Sequence, residues 1–263
     1  PCFCSYIFSI NFFSYFYSDK LILKRYNAQE LSSSHPLYHM TKRLCFKAGL
    51  ELPKLYIISD SVPNAFATGR NPANAAVALT TGLLDTLNDD EIAAVIAHEL
   101  GHVRHYDILT GSIAAVFAGG IAILANFAQF GAMLGNNQNR QNPLLIIALS
   151  IIMPLAATII QMSISRSREF EADRFSASIT NPNDLANALL KLEGSNAHTM
   201  VKNANEQTAH MFIISPFSGK NIASGISNLF RTHPTTRQRV ERLNELSRHN
   251  KNYQNPARKY FNS

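Results

Sequence analysis

The sequence predicts a mainly α-helical chain that carries a small antiparallel β-sheet and transmembrane helices. Three features support that prediction. Two uncharged apolar runs, Ile108 to Leu134 and Pro143 to Ser165, are each longer than a bilayer requires. Three short strand-like segments cluster between residues 55 and 80, and a helix with its own N-terminal cap begins at Asn88 and leads into the first apolar run.

The chain opens on PCFCSYIFSINFFSYFYSDK, aromatic and uncharged until Asp19. It lacks a basic leader and a small-residue cleavage site, so residues 1–18 read as part of a membrane helix rather than a signal peptide. A short apolar core segment is the alternative. After Lys20, Lys24 and Arg25 and a polar stretch through Ser34, the spacing of Leu37, Met40, Leu44 and Ala48 predicts a helix from about Pro36 to Gly49. Gly49 is a natural stop. LYIIS (55–59), AFATG (65–69) and AAVALT (75–80) read as strands separated by Asp60, Pro63, Asn71 and Pro72, which suggests a small antiparallel sheet.

Asn88 followed by Asp89, Asp90 and Glu91 combines an N-cap with a glutamate three positions on and places acidic groups where the helix dipole favours them. The helix it starts runs through Ile92, Val95, Ile96, Leu100 and Val103. The two apolar runs beyond it are separated by the polar NNQNRQN, the pattern of a transmembrane hairpin. Reading them as core helices of a soluble protein would demand an unusually large core. Arg104 precedes the hairpin and Arg166 and Arg168 follow it, while the turn holds only Arg140, so the tip points away from the cytoplasm. Ala115 with Gly119, and Gly131 with Gly135, give the small-residue spacing that lets helices approach closely.

Beyond the hairpin the pattern predicts helices from about Ser163 to Ile179 and from Asn183 to Leu192. A last amphipathic helix follows Pro234, with Val240, Leu243 and Leu246 facing inward. The expected organisation is a partial membrane segment at 1–18, a first globular part at 19–107, the hairpin at 108–165 and a second globular part at 166–263.

Composition narrows the function. A net charge of +6 with only 16% charged residues is a modest basic excess, and no basic-aromatic stripe accompanies it, which argues against nucleic acid. Cys2, Cys4 and Cys45 make no paired spacing, so neither a disulfide framework nor a thiolate metal site is expected.

The chemistry is concentrated in AVIAHELGHVRH. His98 and His102 are four apart on the capped helix, so both imidazoles project from one face and can bind one Zn²⁺. Glu99 lies beside that row, where it can take a proton from an attacking water without filling a ligand position. Two solvated histidines on a helix are the bland alternative. The apolar preceding turn and the room left by Gly101 weigh against it. A catalytic zinc needs a third protein ligand and an open position. His105, three residues beyond His102, is one candidate. The other lies in SRSREFEAD, where Glu169 and Asp173 share a helical face and can act as ligand and supporting partner, whereas Glu171 points elsewhere.

AHELGHVRHYD, SRSREFEAD, PNAFATGRNP and THPTTRQRVERL, in that order, resemble the HtpX family of bacterial membrane-bound zinc metallopeptidases, relatives of the CAAX prenyl proteases. The resemblance runs from about residue 12 to about residue 248. It implies an α+β zincin-type catalytic domain with one Zn²⁺ per subunit, held by His98, His102 and Glu169. Glu99 is then the general base and Asp173 a residue behind the ligands. It further implies that Asn64-Ala65-Phe66 belongs to an edge strand pairing with substrate backbone, and that His233 approaches the substrate oxyanion, with helix capping the alternative for His233. Residues 1–18 correspond to the second half of the family's N-terminal membrane hairpin.

The reaction so implied is endoproteolysis by zinc-activated water, acting on misfolded or damaged membrane proteins or unfolded polypeptides at the lipid bilayer of the cell inner membrane, with the catalytic domain in the cytoplasm. Two rivals are a catalytically silent zinc-binding membrane scaffold and a narrower CAAX-type processing protease. A silent scaffold would be expected to close the fourth zinc position with another side chain. A lipid-tail processing enzyme would need a cavity ringed by many spanning helices, and this chain has at most three.

Overall fold

The computed structural model describes residues 23–69, 71–107, 109–111, 120, 143–198 and 234–254. The segment expected at 1–18, most of the first apolar run, the hairpin turn and His233 lie outside the described residues.

In chain order the elements are β1 (Gln29–Glu30), α1 (Pro36–Ala48), β2 (Lys54–Ile58), β3 (Ala65–Thr68), β4 (Ala76–Thr80) and α2 (Thr81–Thr86), then α3 (Asp89–Arg104), α4 (Pro143–Ile179), α5 (Pro182–His198) and α6 (Thr236–Gln254). Helix α1 starts with Pro36 in its first turn, and His35 Nδ1 accepts from the Leu37 amide at 3.2 Å. It ends at Gly49, whose φ of 65° is the left-handed geometry a C-terminal cap needs.

The sheet corrects one expectation, because it is mixed rather than antiparallel. Its order is β1-β2-β4-β3, with β4 parallel to β2 and antiparallel to β3. The reason lies in β4, whose Val77, Ala78 and Leu79 are wholly buried. A strand apolar on both faces takes the centre of a sheet, so β4 inserts between the two earlier strands instead of extending a meander. The two-residue β1 was too short to give a periodic signal.

The capping box at the start of α3 forms as predicted. Asn88 Oδ1 accepts from the Glu91 amide at 2.9 Å, and Glu91 Oε2 accepts from the Asn88 amide at 3.0 Å. Glu91 also receives Lys191 Nζ of α5 at 2.7 Å, which ties the helix start to its neighbour.

Helix α4 is continuous from the second apolar run into the SRSREFEAD segment, so the apolar and polar halves share one axis. The side chains of residues 143–151 lie outside the description, and among the described residues no helix is long and apolar enough to cross a membrane. Helices α3 and α4 meet at Gly101. A Cβ there would stand 2.9 Å from Ala172 Cα, so only glycine permits this approach. Ser176 Oγ donates to the Ala94 carbonyl at 2.8 Å on the same interface. The larger apolar cluster, including Leu44, Leu79, Val95, Ile96, Leu100, Leu189 and Leu243, joins the sheet to the helices and fixes α3 against α4.

Candidate metal centre

Helices α3 and α4 deliver the polar groups. From α3, His98 and His102 place their Nε2 atoms 3.2 Å apart, with the rings nearly perpendicular. From α4, Glu169 brings Oε2 to 3.6 Å from His98 Nε2 and Oε1 to 3.7 Å from His102 Nε2. These residues form a group able to hold a metal ion. Donor atoms around a tetrahedral zinc at about 2.0–2.1 Å lie roughly 3.4 Å from one another, so the spacing fits. Two neutral imidazoles and one carboxylate are also a donor set suited to zinc with a position left open.

Each histidine is held from behind. His98 Nδ1 lies 3.0 Å from Asp173 Oδ1, and His102 Nδ1 lies 2.7 Å from Asp107 Oδ2. Arg239 of α6, 1% exposed, donates to both Asp173 oxygens at 2.6 and 2.9 Å and reaches Glu169 Oε2 at 3.4 Å. Burial and the Arg239 charge both disfavour a protonated His98. Hydrogen bonds to Asp173 and Glu169 outweigh them and push its pKa up to about 9. Burial alone would raise the Asp173 pKa, but Arg239 and His98 hold it below the usual carboxylate range. Burial opposes the Arg239 charge as well, and the carboxylates of Asp173, Glu169 and Glu99 raise its pKa regardless. A metal ion bound here would have to displace the His98 proton.

With that geometry in view, likeness to known proteins becomes decisive. The model for Peptidase family M48 matches residues 23–247. The chain belongs to peptidase family M48.

Its sequence is 58% identical to the Protease HtpX homolog of Campylobacter hominis, over 90% of this chain and 85% of that protein. It is 49% identical to Protease HtpX of Legionella pneumophila strain Lens, over 90% of this chain and 85% of that one. The resemblance to HtpX drawn from four motifs therefore holds, and this M48 chain is a protease. The crystal structure of S. mikatae Ste24p shares the fold, with a TM-score of 0.62 at 21% identity, covering 91% of this chain and 57% of that one.

Other residues expected at the M48 site fall as follows. Glu99 is buried on α3, 4% exposed. His105 caps the end of α3, is exposed, and packs edge-on to Phe175 at 6.0 Å, away from the cluster. Asn64 and Ala65 are buried at the start of β3, the last strand of the sheet order, and no strand covers its outer side among the described residues.

Sequence reasoning missed three residues. Arg239 sits one turn before Leu243 on the inward face of α6, and a basic residue on an apolar stripe was the signal available. Asp107 is the last charge before the first apolar run, and Arg168 directly precedes Glu169. Neither position has a periodic signal that separates it from an ordinary flanking charge.

Proposed function

We propose that this protein is a membrane-bound zinc endopeptidase that cleaves misfolded or damaged membrane proteins at the cell inner membrane from its cytoplasmic side. The observation that carries the reading is the convergence of three side chains from two separate helices, with the two Nε2 atoms 3.2 Å apart and the Glu169 oxygens 3.6 Å from His98 Nε2 and 3.7 Å from His102 Nε2. His98, His102 and Glu169 would hold one ion per chain. Zinc bound there supplies a Lewis acid that polarises the scissile carbonyl and lowers the pKa of water toward neutrality.

The chain's own groups do the rest. Glu99 takes the proton from the attacking water and returns it to the departing amine. Asp173 orients His98 through Nδ1, and Arg239 keeps that carboxylate ionised. The strand that Asn64 and Ala65 begin has an outer edge suited to an extended substrate backbone. His233 is the residue assigned to the substrate oxyanion.

Residues 108–165 form the membrane hairpin in this reading. Ile152, Leu155 and Ile160 are exposed along α4, as lipid-facing side chains are, and Arg166 and Arg168 follow the apolar run on its cytoplasmic side.

The test couples metal analysis of the purified protein with cleavage of an unfolded membrane protein. About one zinc per chain, with cleavage abolished by chelator and restored by zinc, is expected. Cleavage that persists in the metal-stripped protein would refute the mechanism.

A further inference from the structure

We infer that Asp107 is a positioning residue for His102, clamped by Arg168, and that the pair dictates which imidazole nitrogen faces the metal point. The inference rests on the zinc-peptidase reading above. His102 Nδ1 lies 2.7 Å from Asp107 Oδ2. A carboxylate can only accept a hydrogen bond, so Nδ1 carries the proton and the Nε2 lone pair is left facing His98 and Glu169.

The backbone is shaped to bring this about. Residues five apart on a regular helix do not share a face. Helix α3 ends at Arg104, His105 caps it, and Tyr106 takes a φ of 55°, a left-handed geometry that residues other than glycine seldom adopt. That turn returns Asp107, 7% exposed, toward His102. A strained turn that aims a carboxylate at a ligand is where a functional constraint is expected.

Arg168 completes the arrangement from the opposite helix. Its Nε is 3.7 Å from Asp107 Oδ1, and its guanidinium rests against Gly111, where a Cβ would stand 3.3 Å from Nη2. One carboxylate therefore touches a ligand of α3 through one oxygen and the residue beside the ligand of α4 through the other. Asp107 fixes the His102 tautomer and also ties the two ligand-bearing helices together at the base of the hairpin.

The experiment compares the full chain with Asp107→Asn, Asp107→Glu and Arg168→Gln in zinc competition against a chromophoric chelator, with circular dichroism as the folding control. Asp107→Asn is expected to weaken zinc binding about 10- to 100-fold, Asp107→Glu to recover part of the loss, and Arg168→Gln to weaken it less than Asp107→Asn. Nitrogen-15 spectra of zinc-loaded wild-type protein provide a test that needs no variant to fold. They should show His102 protonated at Nδ1 and metallated at Nε2. Wild-type zinc affinity in Asp107→Asn, or metallation of His102 through Nδ1, overturns the inference. A wild-type chain that binds no zinc overturns instead the reading on which it rests.

Discussion

Arg239 grips Asp173 side-on, with Nη2 donating to Oδ1 at 2.6 Å and Nε donating to Oδ2 at 2.9 Å, and both side chains are almost wholly removed from solvent. Removing one partner of such a pair leaves a buried charge uncompensated, at a cost of about 3–5 kcal/mol. Arg239→Ala should therefore lower unfolding free energy by that amount in chemical denaturation. Arg239→Lys should rescue little of it, because an ammonium cannot reproduce the planar fork. The double variant with Asp173→Ala should lose less than the two single losses added together, since the charge left stranded by either one is gone.

Separating metal binding from proton transfer should be possible at adjacent residues. Glu99→Gln removes a proton acceptor without touching a ligand, so zinc content should stay near wild type while turnover falls by about 10²–10⁴-fold. His98→Ala and Glu169→Ala should lose the metal itself. Metal analysis beside a cleavage assay reads both, and a Glu99→Gln protein as active as wild type would remove the assigned base.

The parts of this site that are local in the chain were legible before the fold was known. Asn88, Glu91, His98 and His102 lie on one helix with a fixed period, so their spacing alone specified a cap and a ligand face. Glu169 and Asp173 shared a face for the same reason, but which of Glu169 and His105 stands beside the two histidines took coordinates, because periodicity does not say which helices meet. Arg239 and Asp107 reach the centre only through tertiary packing and one unusual turn. The strand order was hidden for a similar reason: three strand segments can be recognised singly, but whether β4 inserts or extends depends on what covers both its faces.

Gly101 offers a test of how closely ligand geometry depends on helix packing. Since a Cβ at this position would meet Ala172 Cα at 2.9 Å and Phe175 Cδ1 at 3.2 Å, Gly101→Ala must push α3 and α4 apart. Overpacking of this kind costs about 1–3 kcal/mol. The same displacement moves Glu169 away from the histidines, so zinc affinity should fall together with stability. Loss of stability with unchanged zinc affinity would mean that the ligand cluster does not depend on this contact.

Cys45, on α1, gives a pH-dependent readout outside the His98, His102 and Glu169 cluster. It is 2% exposed, and burial pushes its thiol pKa up to about 11 from an ordinary value of 9.0. A raised folded-state pKa favours folding fully below the unfolded value, so this contribution is intact below about pH 9 and fades as pH climbs toward 11. Alkylation of Cys45, followed by mass spectrometry of its peptide, should be negligible near neutral pH in folded protein. It should rise with denaturant along the unfolding curve. Rapid labelling of the native chain at neutral pH would contradict the burial.

The outer edge of β3 can be tested without disturbing its inner one. The Thr80 amide donates to the Asn64 carbonyl at 2.9 Å, which makes Asn64, and by alternation Phe66 and Thr68, the residues whose backbone faces β4. Ala65 and Ala67 then direct their N–H and C=O groups outward, and Ala67 is only half-buried. Proline is tolerated on an edge strand when its missing N–H faces away from the ladder. Ala67→Pro should accordingly leave thermal stability near wild type and raise KM for an extended peptide substrate, with kcat less affected. Removing one backbone hydrogen bond to substrate corresponds to about 0.5–1.5 kcal/mol, or roughly 2- to 13-fold in KM. An unchanged KM in a protein that melts like wild type would take strand pairing out of substrate binding.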